Sequence, residues 1–326
     1  MRVLALVPGG IGDQILFFPT LDDLKQAYPK AEIDVVVEPR AQSAYRVSKA
    51  VDETIPFDFA ANSSPSDWAN LLGIIRDREY EVVLSTSQDW SVGLLLWLSG
   101  IPMRIGYANP SSGIFLTQSV PYKPAQYQAE QYHDLLQGLQ INGACPATSL
   151  SVPQSDLDWA EQTRAALGLK DTGYVILYGG PNTAARGKVS NAFYPIESWQ
   201  AIIEDFKRRQ PDLPIVFLQD STNGTLADSL GDLAPSIKLI QPTNIGRMAA
   251  IIAGADLVIC PDSDVLPLAV ALKVFTLALF GSSDPARRLP PTDGSDAEVR
   301  FLAITSLSDR VADISAQDVL KKAWGE

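Results

Sequence analysis

Residues 1–21 read MRVLALVPGGIGDQILFFPTL, and this stretch decides the fold of the N-terminal half. The apolar run Val3–Val7 has the pattern of a buried β-strand. A glycine turn follows at once, and apolar residues at helical spacing begin after Gly12. A strand that passes through a tight turn into a helix is the first unit of a parallel sheet.

The same alternation of strand and helix continues along the chain. Strand-like runs recur at Ile33–Val37 and Val82–Leu84, and a second series begins at Tyr174. Its strands are predicted at Val175–Tyr178, Ile215–Leu218, Ile237–Ile240, Leu257–Cys260 and Phe275–Leu279. Turn-rich segments at 107–125 and 144–153 separate the two series. The sequence therefore predicts an α/β protein of two Rossmann-like, doubly wound domains, 1–154 and 155–326, that face each other across a cleft.

Composition permits two buried cores and excludes several kinds of protein. Hydrophobic residues make up 46 % and charged residues 20 % of the 326 residues. The most apolar run, Val92–Leu98, is much shorter than the roughly 18 residues of a membrane span. Because the sequence opens directly on a strand pattern, we expect a cytoplasmic protein. The net charge of −12 and the lack of a basic stripe argue against a nucleic-acid partner. An anionic membrane would repel the chain on average, although a local basic patch would override that average.

Two cysteines and one histidine restrict the chemistry. Cys145 and Cys260 do not form a disulfide framework, and Cys260, at the end of a strand, is expected to be a small buried hydrophobic residue. A single histidine, His133, excludes histidine-rich metal sites, and its place on a predicted helix favours a structural role.

The glycine turn leaves two interpretations of Asp13 open. Gly10 and Gly12 match the first two glycines of a dinucleotide fingerprint, but Ile15 occupies the third position, so a tight strand-to-helix turn explains them better. Backbone amides at the start of the helix favour an ionised Asp13. Its carboxylate either caps the helix or accepts a proton from a hydroxyl nucleophile.

The segment YGGPNTAARGK, residues 178–188, invites comparison with a phosphate-binding loop and does not match it. Six residues separate Gly180 from Gly187, and valine rather than Ser or Thr follows Lys188. The loop still follows the first strand of the second series, where ligands bind in such folds. Thr183, Arg186 and Lys188 either contact phosphates or belong to a solvated loop.

Two further strand ends place small polar residues on the same edge of the second sheet. CPDSDVLPLAVAL, residues 260–272, puts Asp262 and Ser263 at the start of a predicted helix. VFTLALFGSSDPARR, residues 274–288, puts Gly281 and Ser282 directly after the next strand. These residues either belong to a ligand site, or Asp262 or Ser263 caps the helix.

These stretches together resemble glycosyltransferase family 9, the lipopolysaccharide heptosyltransferase family. The resemblance covers nearly the whole chain and rests on an ordered series of segments. They are GIGDQILFFPTLDDLKQAYPKAEIDVVV (10–37), LSTSQDWSVGLLLWLSGIPMRIGY (84–107), PDSDVLPLAVAL (261–272), ALFGSSDP (278–285) and SAQDVLKKAW (315–324).

The resemblance implies a two-domain GT-B fold and an inverting sugar transfer from a nucleotide-sugar donor. Asp13 occupies the position of the family's catalytic base, which deprotonates a hydroxyl of a glycan or lipid-linked glycan acceptor. The second domain is expected to hold the donor through the strand-end residues described above: Thr183, Arg186, Lys188, Asp262, Ser263, Gly281 and Ser282. No metal or other cofactor is implied, since the nucleotide sugar is a substrate.

Several positions depart from the family pattern. Asp264 stands where the family has glycine, and Pro267 where it has histidine. Ala192 and Tyr194 stand where it has lysine and tryptophan, although Arg186 or Lys188 can replace the missing cation. QDSTNG, residues 219–224, contains no clear equivalent of the acidic ribose contact.

These departures keep a second hypothesis open: a catalytically degenerate relative that acts as a binding or assembly module, with a protein partner or a peripheral membrane site. A nicotinamide-dependent enzyme is a third hypothesis, disfavoured because the third fingerprint glycine is missing.

Overall fold

The computed structural model describes residues 1–59, 63–110, 113–170, 172–180, 193–220, 237–292 and 299–326. The chain divides into two compact units, Met1–Ser151 and Val152–Glu326. The boundary predicted between residues 154 and 155 lies in the first turn of the helix Gln154–Ala166 that opens the second unit.

The N-terminal unit is built on a parallel sheet in the order β3-β2-β1-β4-β5-β6. Its strands are β1 (Arg2–Val7), β2 (Glu32–Val37), β3 (Glu53–Pro56), β4 (Val82–Ser85), β5 (Met103–Tyr107) and β6 (Gln118–Val120). Its α-helices are α1 (Ile11–Ala27), α2 (Pro65–Asp77), α3 (Trp90–Ser99) and α4 (Gln128–His133), with 3-10 helices at Pro39–Val47, Gly113–Phe115 and Asp134–Leu139.

The C-terminal unit repeats this topology in the order β12-β11-β10-β7-β8-β9. Its strands are β7 (Val175–Leu177), β8 (Ile215–Leu218), β9 (Lys238–Ile240), β10 (Leu257–Pro261), β11 (Phe275–Phe280) and β12 (Phe301–Thr305). Its α-helices are α5 (Gln154–Ala166), α6 (Ile196–Arg209), α7 (Ile245–Ile252), α8 (Val265–Ala271), α9 (Pro285–Arg288) and α10 (Ala316–Trp324), with a 3-10 helix at Val311–Asp313.

Both sheets reverse their winding direction at the first strand of the unit, so each unit is doubly wound. The prediction of two Rossmann-like α/β units is confirmed. Val3–Val7 is completely buried in the centre of the first sheet, as expected for a strand covered by helices on both faces.

The helix predicted to start at Asp262 begins later. Strand β10 extends through Pro261, and α8 covers only Val265–Ala271 with Asp264 at its N-cap position. Neither Asp262 nor Ser263 therefore caps a helix. The closing helix α10 spans Ala316–Trp324, and Ser315 caps it by accepting a hydrogen bond from the Asp318 amide.

Cys260 has the burial that was expected of it, and His133 is buried as well. The buried His133 lies with its Nε2 2.7 Å from Oδ2 of Asp23. Both cysteines are free thiols, and Cys260 is completely buried. Within the described ranges, none of the helices is long and apolar enough to cross a bilayer.

Candidate functional site

Each unit has a switch point, where strands that lead to opposite sides of the sheet lie next to each other. It falls between β1 and β4 in the first sheet and between β7 and β10 in the second. Ligands bind doubly wound sheets at the carboxyl ends of these strands. The glycine turn of residues 8–10 follows β1, and Gly179–Gly180 and Asp262–Asp264 follow β7 and β10.

The glycine turn needs glycine at position 9. Gly9 has φ +122°, and a Cβ there would lie 2.3 Å from Oδ2 of Asp13. Gly10 is extended, with φ −82° and ψ −176°, and is the N-cap of α1, while Gly12 is buried in its first turn. The prediction named Gly10 and Gly12. The structure adds Gly9 as the position where both the backbone and the close carboxylate exclude a side chain.

The Asp13 carboxylate accepts hydrogen bonds from two different segments of the N-terminal unit. The amide of Gly10 donates to Oδ2 at 2.8 Å, and Nε2 of Gln128 donates to Oδ1 at 2.9 Å. Asp13 is the third residue of α1, so the Gly10 bond is the carboxylate half of a capping box. The capping interpretation therefore holds. It does not exclude proton acceptance, since an ionised carboxylate remains a base while it accepts hydrogen bonds.

Two glutamine side chains contact the end of β1 or Asp13. Gln14 is fully buried, donates through Nε2 to the Val7 carbonyl at 2.9 Å and accepts from the Tyr45 hydroxyl at 2.6 Å. Burial, and next the nearby Tyr132, raise the pKa of Tyr45 well above its ordinary value, so it stays a donor. Gln128 also donates to the Tyr132 hydroxyl. Sequence reasoning missed both glutamines. Gln14 adjoins the motif and was open to detection, but Gln128 is 115 positions from Asp13 and carries no local signal.

In the C-terminal unit, two of the predicted donor residues already have partners within their own unit. Oδ1 of Asp262 lies 2.9 Å from Nε of Arg288, with both side chains largely buried. The Ser263 hydroxyl donates to the Pro261 carbonyl at 2.9 Å. Arg288 thus reduces the negative charge that Asp262 brings to this edge of the sheet. Asp264 is exposed, and Pro267 is buried within α8.

The loop after β11 is sterically tight at Gly281. A Cβ there would lie 2.9 Å from the carbonyl oxygen of Asp309. Ser282 is exposed, and Asp284 caps α9 by accepting from the Ala286 amide at 2.9 Å. The sheet edge thus brings Asp262, Ser263, Gly281 and Ser282 to the ends of two adjacent strands, as predicted from the sequence.

An acidic residue lies at the end of the neighbouring strand, within residues 219–224, where no clear equivalent of the acidic ribose contact was expected. Asp220 follows β8, the second strand of its unit, and Oδ2 accepts a hydrogen bond of 2.6 Å from the Tyr178 hydroxyl. Tyr178 itself follows β7. The position of an acid after the second strand was the available signal, since this is where Rossmann-like folds place one.

Thr183, Arg186, Lys188 and Ala192 lie outside the described residues. In the part of the chain that the structure describes, no group of three or more His, Cys, Asp or Glu side chains is arranged to hold a metal ion.

Comparison with known proteins identifies relatives of two kinds. The chain is 21 % identical over 333 residues to an Arabidopsis thaliana protein named photosynthetic NDH subunit of subcomplex B 1, chloroplastic, which covers 96 % of this chain and 71 % of that protein. It is 23 % identical over 290 residues to lipopolysaccharide heptosyltransferase 3 of Escherichia coli strain K12, covering 84 % and 80 % respectively.

A solved structure shows the same fold. The E. coli heptosyltransferase WaaC with ADP-2-deoxy-2-fluoro heptose has a TM-score of 0.78 and 18 % sequence identity, covering 100 % of this chain and 99 % of that one. The family model of glycosyltransferase family 9 (heptosyltransferase) matches residues 68–315. With two six-stranded Rossmann-like units and a family match over most of its length, the chain has the GT-B fold and belongs to glycosyltransferase family 9, the heptosyltransferase family.

Proposed function

We propose that this protein transfers a sugar, heptose-like by its relatives, from a nucleoside diphosphate sugar to a hydroxyl group of a glycan or lipid-linked glycan in the cytoplasm. The observation that carries the proposal is the Asp13 carboxylate at the carboxyl end of the central strand β1, where the Gly10 amide and Gln128 hold its two oxygens. Family membership supports a transferase, and the names of the relatives support heptose as the sugar. Asp13 lies outside the matched range 68–315, so its role rests on this geometry.

In the proposed reaction, Asp13 accepts the proton of the acceptor hydroxyl. The hydroxyl oxygen forms a bond to the anomeric carbon as the bond from that carbon to the diphosphate breaks on the opposite face. The configuration is therefore inverted, and the nucleoside diphosphate leaves with the bonding electron pair. The two donors to Asp13 restrict its rotation, so little reorganisation is needed when the proton moves. No metal ion is part of this proposal.

The C-terminal unit is proposed to hold the donor at the carboxyl edge of its sheet. Asp220, at the end of the second strand, is suited to accept hydrogen bonds from the ribose hydroxyls. Gly281 and Ser282 allow close approach after β11, and Thr183, Arg186 and Lys188 remain the candidates for phosphate contacts. The Arg288–Asp262 pair limits electrostatic repulsion of the diphosphate.

Replacing Asp13 by asparagine tests the base. We expect Asp13→Asn to lower turnover with ADP-heptose by roughly two to four orders of magnitude, the range for a positioned general base. Donor affinity should stay nearly unchanged, since Asp13 belongs to the other unit. Turnover and donor affinity are measured separately, by product formation and by calorimetry.

Asp67→Asn is the matched control. Asp67 is also the third residue of its helix, α2, and Oδ2 accepts from the Ser64 amide at 2.8 Å, as Asp13 does from Gly10. This variant loses the same kind of capping carboxylate away from the proposed site, so its turnover should equal that of the wild type. Equal turnover in Asp13→Asn and the wild type would remove Asp13 from the mechanism.

A second function is favoured by one set of observations. Asp264 and Pro267 replace the glycine and histidine of the family pattern, and one relative is named as a subunit of a photosynthetic complex. A catalytically degenerate module that binds a protein partner would account for both. Calorimetric titration with ADP and ADP-heptose separates the two functions, because a folded protein that binds neither at millimolar concentration cannot use such a donor.

A further inference from the structure

Helix α3 is apolar on all sides, and only part of it is covered. It begins after Asp89, ends at the left-handed Gly100, with φ 78°, and contains no charged residue. Val92, Leu95 and Leu96 are buried in a core cluster of the N-terminal unit. A helix that is apolar all round is normally buried on every side. The opposite face of α3 therefore requires an explanation.

That opposite face exposes a continuous set of large apolar side chains. Trp90 and Trp97 are 60 % and 54 % exposed, Leu98 is 39 % exposed, and Leu94 is partly exposed. The spacing of residues 90, 94, 97 and 98 places them on one face of a helix. Ile114, 79 % exposed, joins them from the 3-10 helix Gly113–Phe115 that packs against α3. We call these five residues the α3 patch.

Two arginines are attached to the segments that form the α3 patch. Arg76 donates to the Leu98 carbonyl through Nε at 3.1 Å and through a terminal nitrogen at 2.6 Å. Arg104 donates to the Phe115 carbonyl at 2.7 Å and to the Ile101 carbonyl at 2.5 Å. Asp89, exposed at the N-cap of α3, offsets one of these two positive charges, so the patch keeps a small local excess of positive charge in a chain of net charge −12.

We propose that the α3 patch binds the interfacial region of a phospholipid bilayer. Tryptophan is favoured at that depth because its ring is apolar and its N–H reaches the headgroup layer. The arginines supply positive charge for lipid phosphates, which is the complementarity that a membrane surface requires.

The α3 patch is large enough for a bilayer surface to bind. The exposed parts of these side chains sum to about 500 Å² on the usual areas of aromatic and aliphatic residues. A lipid surface requires no minimum area, since each inserted apolar group adds its own transfer free energy.

The location of the α3 patch also fits a membrane-linked acceptor, a step that rests on the proposed function. Strand β4 ends at Ser85, and residues 86–89 lead directly into Trp90. The patch therefore begins at the carboxyl edge of the N-terminal sheet, beside the strand that precedes Asp13. A lipid-linked glycan in the bound bilayer would start close to that edge.

Vesicle flotation tests the inference without any assay of sugar transfer. The full chain is mixed with vesicles of phosphatidylcholine and phosphatidylglycerol, and the fraction bound is measured. We expect the wild type to float with the vesicles, and Trp97→Glu and Ile114→Glu each to lower the partition coefficient by about tenfold. Brominated lipids should quench tryptophan fluorescence in the wild type more strongly than in Trp97→Glu.

Leu307→Glu is the matched control, because Leu307 is an equally exposed apolar side chain, at 109 %, in the C-terminal unit. It should bind vesicles as the wild type does, and thermal unfolding should show that all three variants are folded. The inference is wrong if the wild type stays unbound, or if Leu307→Glu loses binding equally. It is also wrong if sedimentation shows that the wild type is a dimer which Ile114→Glu dissociates, and the wild type does not bind vesicles. If the wild type shows no sugar transfer but binds vesicles as expected, the proposed function is contradicted and the membrane-binding inference stands.

Discussion

At the scale of single residues, two aspartates show that hydrogen bonding alone does not define a site. Asp13 and Asp67 each accept a hydrogen bond of 2.8 Å from the N-cap amide of their own helix. Asp67 is fully exposed at the surface, where its pKa is lowered by hydrogen bonds from the Ser64 side chain and amide. Asp13 follows the central strand and is also held by Gln128. The difference between the two lies in their place in the fold.

Asp264 permits a test of the proposed donor site at the same scale. Its side chain is exposed, so water screens the charge. Two unit charges about 5 Å apart in bulk water repel by about 0.8 kcal/mol, which corresponds to a factor of about four in affinity. We therefore expect Asp264→Gly to tighten ADP binding about fourfold at low salt, with a smaller gain at high salt, as measured by calorimetry.

Asp212→Gly controls for net charge in this experiment. Asp212 is also exposed, but it precedes β8 and so lies at the opposite, amino edge of the same sheet. It should leave ADP affinity unchanged. An equal gain in both variants would mean that overall charge, and not the position of Asp264, controls binding.

At the scale of elements, Trp324 makes several of the contacts that hold helix α10 against α6. The ring of Trp324 packs on Phe206 at 4.7 Å between centroids, and its Nε1 donates to Oδ2 of Asp205 at 2.9 Å. The Arg209 guanidinium lies over the same ring at 5.2 Å. Burial by itself would raise the pKa of Asp205, but hydrogen bonds from Trp324 and Arg208 and the nearby arginine charges bring it below its ordinary value of 3.8.

Trp324→Phe should remove the hydrogen bond and keep most of the packing. We expect it to lower the free energy of unfolding at pH 7 by about 1.5–3 kcal/mol, the range for a hydrogen bond to a charged group. Because the pKa of Asp205 is lower in the folded than in the unfolded protein, its ionised carboxylate stabilises the folded state at pH values above the ordinary Asp pKa. This stability is lost as the pH falls through the pKa of Asp205 in the folded protein. The difference between variant and wild type should therefore shrink below about pH 4.

Chemical denaturation at several pH values measures this difference. Trp90→Phe is the control, since Trp90 is exposed and should change the free energy of unfolding by less than about 0.5 kcal/mol. A Trp324→Phe difference that stays constant down to pH 2 would contradict the role of Asp205.

At the scale of the whole molecule, each unit contains one thiol that reports on it. Cys145 lies in the N-terminal unit and Cys260 at the carboxyl end of β10 in the C-terminal unit. Burial, reinforced by nearby acidic groups, raises the pKa of Cys145 to about 12, and burial also raises that of Cys260. Because only the thiolate reacts, both cysteines should react slowly with iodoacetamide at pH 8 in the folded protein, and the completely buried Cys260 should react mainly after its unit opens.

ADP should then protect the two thiols unequally. A ligand that binds one unit stabilises that unit by mass action, so ADP should slow labelling of Cys260 several-fold and leave Cys145 nearly unchanged. Mass spectrometry of the labelled chain measures both rates at once. Equal labelling of the two residues in guanidinium is the control. If ADP protected Cys145 and not Cys260, the proposal that the C-terminal unit binds the nucleotide would be wrong.

Much of the fold could be predicted because its signals are local. Val3–Val7, Ile215–Leu218 and Phe275–Leu279 were recognised as strands from runs of apolar residues, and the structure contains them within a residue or two. Strands β3, β5, β6 and β12 were not predicted. The first three read ETIP, MRIGY and QSV and lack the apolar run that marked the other strands, whereas β12, which reads FLAIT, has such a run and was overlooked.

The sequence by itself determined the alternation of strands and helices, the family resemblance and the turn that carries Asp13, since each depends on residues close together in the chain. Only the tertiary structure decided that Gln128 holds Asp13, that Arg288 pairs with Asp262, and that Tyr178 meets Asp220. It also decided which face of α3 is exposed. These contacts depend on strand order, which brings distant segments to one edge of a sheet. No periodicity within a short window encodes that order, because many pairings satisfy the same local pattern.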